Sequence, residues 1–226
     1  MMSPMAGKTA YAEAMDAIVR IVAPTLKARG FRKRDRTFNR SREEGVVAVL
    51  NFQMGPFDPP GTYEIPGLRD NLYGQFAVNL GIAFEEVWPV DLHDKPFPSF
   101  VPEYACHLRL RLGELMPAAQ DRWWPLGGDV ALVGSELAGH IERYALPWLD
   151  RFGTRSGLIE AWERHERIGS QSRLPLVTAL VYLHQGDTAK GRALFREWYV
   201  KSPSAHQARL RALAPELGID DLAPPP

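Results

Sequence analysis

Hydrophobic positions change period along this chain, and the change divides it into three stretches. From Ala10 to Arg29 the apolar residues Met15, Ile18, Val19, Val22 and Leu26 recur at helical spacing, and Gly30 follows as a stop. An amphipathic helix is expected there, with Pro24 kinking it or splitting off its last turn. The period then shortens to two. Arg36 to Arg42 and Val46 to Met54 flank Glu43-Glu44-Gly45 and read as a β-hairpin. Gln75 to Glu85 alternates, with Phe76, Val78, Leu80 and Ile82 on one side and Gln75, Ala77, Asn79 and Gly81 on the other, which predicts a strand with one buried face. Tyr104 to Leu112 repeats the pattern, with Cys106, Leu108 and Leu110 in phase and His107, Arg109 and Arg111 opposite.

Breakers separate these strands. Gly55 to Leu72 holds four prolines and two further glycines besides Gly55, and Trp88 to Pro102 is a second proline-rich excursion, so both read as loops. After Gly127-Gly128 the pattern is helical, in segments near 129–152, 156–167, 173–185, 188–201 and 204–217. Strands grouped ahead of helices predict an α+β fold. The expected architecture is a four-stranded antiparallel sheet packed on the N-terminal helix, with an all-helical C-terminal extension. Expected boundaries are a sheet domain over 1–128, the helical extension over 129–221 and a disordered tail over 222–226.

The strand segments resemble a family known as domain of unknown function 4304. The likeness over about residues 10–150 is carried by Gly30-Phe31-Arg32-Lys33 with Arg36-Thr37-Phe38, by Leu50-Asn51-Phe52-Gln53, by Phe76 to Gly81, and by Arg109 to Leu115 with Trp123-Trp124. That family is bacterial and has no assigned activity, so the resemblance implies a fold and no catalytic residue. Further on, Tyr182 to Asp187 with Gly191, Phe195 and Pro203 resembles the second half of a tetratricopeptide repeat, departing from it where Gly191 replaces alanine and where Trp198 fills a small position. One such hairpin is expected to pack on the rest of the protein.

Composition narrows the chemistry. Twenty-seven basic and twenty-seven acidic residues cancel, so any charge-driven binding must be local. The single cysteine, Cys106, excludes an internal disulfide, and its phase predicts a buried thiol facing away from His107. With no signal-like or membrane-length apolar run, a cytoplasmic location is expected and no membrane partner.

No serine elbow, phosphate-binding loop, dinucleotide glycine motif, histidine pair at metal spacing or Cys-x-x-Cys occurs, so no cofactor, metal or catalytic residue is assigned. Asp91-Leu92-His93-Asp94 lacks a visible third ligand. The candidate binding residues are Asn51, Asn79, His107, Arg109 and Arg111, grouped with Gln53 and Gln75 on the sheet face opposite the apolar one, where amides and guanidinium groups can read an anion or a polar backbone. The alternative is a solvated face, normal for antiparallel sheets, with Glu103 as an internal partner for the arginines. Trp123 and Trp124 join the candidates because adjacent tryptophans cannot both face one core.

A non-catalytic binding or interaction protein is therefore expected, of the immunity or inhibitor kind, with another protein as partner or a small anionic ligand. One alternative is an enzyme using His107 as general base beside Arg109 or Arg111. Another is nucleic-acid binding by the basic stretch Lys27, Arg29, Arg32, Lys33, Arg34, Arg36, Arg40 and Arg42, interleaved with Phe31 and Phe38.

Overall fold

The computed structural model describes residues 9–56, 71–92, 95–168, 173–219 and 222. Helix α1, Ala10–Ala28, starts where the Thr9 hydroxyl accepts from the Ala12 amide at 3.2 Å. It runs through Pro24 without a break. The expected split does not occur, because Met15, Ile18, Val19, Val22, Ala23 and Leu26 form one buried stripe on both sides of the proline and hold the last turn in place.

Among the described residues the sheet is antiparallel and has six strands, two more than the alternating pattern predicts. They are β1 (Arg32–Arg34), β2 (Thr37–Glu43), β3 (Val46–Met54), β4 (Gln75–Phe84), β5 (Leu108–Arg111) and β6 (Trp124–Pro125). The order is β1-β2-β3-β4-β5, with β6 also pairing β4 through Phe76 opposite Trp124. Both additional strands are too short to show a period, and β1 is exposed along its whole length. The expected fourth strand shrinks to β5. Glu103–Ala105 is a 3-10 turn with Tyr104 76% exposed, and Leu112–Leu115 is another.

Strand β4 departs from expectation in a second way: after Gln75 every residue is buried, on both faces. One face carries aromatic rings, in which Phe38, Phe52, Phe76 and Trp124 follow one another at centroid distances of 6.0, 6.4 and 5.8 Å. On the other, Ala83 packs with Val49, Trp88, Val101 and Cys106. The proline-rich excursion contains the short helix α2 (Trp88–Leu92), and its Trp88 and Val101 shield a face that alternation assigns to solvent. Gly81 belongs there because a Cβ would lie 2.6 Å from the Cys106 sulfur.

Helix α3 (Val130–His140) passes through a π-helical turn, Ile141–Ala145, into α4 (Leu146–Phe152), and α5 (Arg155–Glu163), α6 (Leu174–His184), α7 (Thr188–Lys201) and α8 (Ser204–Leu213) follow. The chain packs into two compact units. One contains the described residues up to Arg40 with Leu50–Leu80 and Leu110–Trp148, and the other Ser41–Val49, Gly81–Arg109 and the described residues from Leu149 on. In the first, α1 packs on α3, where a Cβ at Gly134 would meet the Ile21 side chain at 2.8 Å.

In the second unit, Arg155 is 4% exposed and joins α5 to the β2–β3 turn. Its guanidinium reaches Glu86 through two 2.8 Å bonds, Glu43 at 2.6 Å and the Glu44 carbonyl at 2.8 Å. Gly45 is needed beneath it, both for its φ of 73° and because a Cβ would come within 2.8 Å of the guanidinium.

Helices α6 and α7 form a hairpin about Gly186, whose φ is 85°. Phe195 is fully buried, and a Cβ on Gly191 would sit 2.7 Å from the Leu183 side chain and 2.9 Å from the Ala179 carbonyl oxygen. Backbone cannot yield there as a side-chain tip can. Gly191→Ala is therefore expected to lower the urea midpoint, because overpacking of about 1–3 kcal/mol outweighs the gain of roughly 1 kcal/mol that alanine brings to a helix interior. A raised midpoint would show that the two helices separate at no cost.

Candidate functional site

Most of the polar groups singled out along the strands are held by the protein itself. In the first unit Asn79 is 4% exposed and donates to Gln53 Oε1 at 2.7 Å, while Asn51 donates to the Thr37 hydroxyl at 2.8 Å. Arg111 pairs with Asp121 and lies 4.8 Å over the Trp123 ring. Trp124 is buried against Phe76, whereas Trp123 is half-buried and donates to Asp121 at 3.3 Å.

In the second unit Arg109 grips Glu103 with two bonds, at 2.8 and 3.2 Å, and this hydrogen bonding raises the arginine pKa further. His107 does not stand on an open face. It is 8% exposed, stacked on Phe84 and edge-on to Trp88, and its Nδ1 accepts the Phe84 amide at 2.9 Å. That bond places the neutral ring's proton on Nε2 and occupies the other nitrogen as an acceptor.

Burial pushes the Cys106 thiol well above its ordinary pKa, and the Glu103 carboxylate adds to the shift. A thiol held protonated this way is a poor nucleophile. His93 and Asp94 lie outside the described residues, as do the side chains of Asp91 and Leu92. Among the described residues no group of three His, Cys, Asp or Glu side chains is placed to hold a metal ion, and no helix is long and apolar enough to cross a membrane.

The basic stretch scatters. Arg40 is buried, 4.5 Å over the Phe31 ring, and donates to the Arg29 carbonyl; Arg42 pairs with Asp150 at 3.1 Å. Arg32 and Arg34 stand exposed on β1. Phe31 and Phe38 are buried, so neither offers a ring for stacking.

What does converge is a groove of about 790 Å³ between α1 and the strands β1 to β3. Val19, Ala23 and Phe52 form its floor, and Arg20, Lys27, Lys33 and Arg36 line it with Asp16 and Asp35. Arg36 is held by Asp16 at 2.8 Å and by the Ala12 carbonyl at 3.2 Å. Among the described residues no hydrogen bond or ion pair engages the side chains of Arg20, Lys27 or Lys33. The helical positions Asp16, Arg20, Ala23 and Lys27 follow one another at spacings of four, three and four, beside the buried stripe, and were legible as a polar edge of α1. Their meeting with Lys33 of β1 in one groove had no sequence signal.

The fold and this groove define a small α+β protein with a sheet backed by one long helix and a cationic channel between them. The chain belongs to the family described as Domain of unknown function (DUF4304), whose model matches residues 22–60 and 68–151, more than half of its length. No curated protein and no solved structure matches it.

If Cys106 is the inert core thiol its surroundings describe, an aqueous disulfide reagent should leave the native protein unlabelled and modify one thiol per chain in urea. Complete labelling of the folded protein within the mixing time would contradict this placement.

Proposed function

We propose that this protein is a non-catalytic interaction protein that receives an acidic segment of another protein in the groove between α1 and β1–β3. The observation carrying this reading is the set of three cations, Arg20, Lys27 and Lys33, facing one groove with no carboxylate committed to them among the described residues. Cations so arranged raise the local potential of a protein whose net charge is zero.

Their spacing speaks for an extended partner. Arg20 and Lys27 are two helical turns apart, about 10.5 Å along the axis, too far for one carboxylate or phosphate to bridge. Beside the groove, β1 pairs among the described residues with β2 alone and presents Arg32-Lys33-Arg34 along its exposed length. An extended peptide can add to such an edge while its acidic side chains meet the groove. Nucleic acid is the less suitable occupant. Binding of single strands relies on aromatic rings open to bases, and Phe31, Phe38 and Phe52 are each no more than 3% exposed.

Fluorescence anisotropy with a labelled peptide of alternating Glu and Ser tests the reading, with a single-stranded oligonucleotide of equal charge as competitor. The double variant K27E/K33E should weaken peptide binding by about tenfold or more, equivalent to roughly 1.4 kcal/mol, and leave the melting temperature nearly unchanged, since both side chains are exposed. Affinity indifferent to the double change, or an oligonucleotide that binds more tightly than the peptide, would overturn it.

A further inference from the structure

We infer that the acidic segment received by the groove carries a basic residue two positions ahead of its first acidic one; this rests on the reading of the groove given above. The groove has a polarity because α1 and β1 run along it in opposite directions. The chain leaves α1 where the Gly30 and Phe31 amides bond the Lys27 and Leu26 carbonyls at 2.9 and 3.1 Å. It reaches the β1–β2 turn beside the first half of the helix, where Arg36 bonds Asp16 at 2.8 Å and the Ala12 carbonyl at 3.2 Å. Lys27 lies about 16 Å along the helix axis from Asp16.

The charges sort along this length. Lys27 stands at one end, Arg20 and Lys33 between, and Asp35 at the turn. Asp16 is answered by Arg36. Asp35 is exposed, lines the same groove, and among the described residues no hydrogen bond or ion pair engages its carboxylate. Its φ is 50°, in a two-residue turn closed by the pairing of Arg34 with Thr37. Glycine would take that conformation without strain, whereas aspartate there adds a negative charge to an otherwise cationic lining.

A uniformly acidic occupant would set one of its carboxylates against Asp35, and like charges directly opposite are destabilising. A basic residue at that point gains a partner instead. Its place in the sequence of the occupant follows from strand direction. Strand β1 pairs antiparallel with β2, and an antiparallel addition to the edge of β1 runs from the turn toward Lys27. The basic residue therefore comes first. Strand alternation sends every second side chain of the occupant to the groove face, which matches the two-position step from Asp35 back to Lys33.

The test is calorimetry on the full chain at low ionic strength with three acetylated and amidated octapeptides. The first is Lys-Ser-Glu-Ser-Glu-Ser-Glu-Ser, the second is its exact reverse, and the third replaces the lysine of the first by serine. The first two have the same composition and charge and differ in order alone. In the parent protein the lysine-first peptide should bind about threefold to fivefold more tightly than its reverse, the range of an exposed ion pair. Asparagine adopts the left-handed turn as aspartate does, so D35N should keep the melting temperature and bring the two affinities together. Equal affinity for the two orders in the parent protein overturns the inference, as does tighter binding of the reverse peptide or a preference that survives in D35N. The lysine-free peptide separates the two possible failures. If it binds and order makes no difference, the acidic-segment reading stands and the charge order falls; if none of the three peptides binds, both fall.

Discussion

Strand β4 has a partner on each side and buried side chains on both faces, and the rest of the fold is arranged to satisfy that double burial. Aromatic rings from β2, β3 and β6 close over Phe76 on one face. On the other, small residues let the Trp88 to Cys106 excursion come close, to the point where Gly81 has no room for a Cβ beside Cys106. A strand enclosed this way cannot carry a solvent-facing recognition surface along its length. The binding surface proposed above lies instead where α1 meets the first strands.

Charge follows the same logic. Polar groups that alternate onto the strands meet partners within the chain: Asn79 with Gln53, Asn51 with Thr37, Arg109 with Glu103, Arg111 with Asp121. Arg155, the most enclosed cation among the described residues, is bonded to two carboxylates and a carbonyl, which holds the β2–β3 turn against α5. Burying a charge without such partners would cost several kcal/mol. Arg20, Lys27 and Lys33, exposed on α1 and β1, have no such partner among the described residues, and all three line the same groove.

The groove and the pocket where α7 meets α8 differ in kind. One is open, lined by separated charges and suited to a chain with several acidic groups. The other is small and partly apolar, lined by Trp198 and Pro203 together with Arg173, Lys201, Ser202 and His206. Most of the groove residues lie within the stretch matched by the family model, whereas Trp198 and its neighbours lie beyond it.

Local sequence determined the elements whose signals are local. The helical stripe of α1, the β2–β3 hairpin around Gly45, the run of β4 and the helices from Val130 onward all follow from period, caps and breakers, and a membership of the domain of unknown function 4304 family was readable from short apolar segments in order. Tertiary structure decided what those signals cannot carry. Strands β1 and β6 are too short to have a period and exist through pairing alone. Alternation marks two faces of a strand but says nothing of what covers the second, so Asn79 and His107 looked accessible until the excursion and neighbouring strands were in place. The candidate site was hidden for the same reason: Arg20 and Lys27 are helical neighbours in sequence, but Lys33 meets them only because packing brings separate elements together.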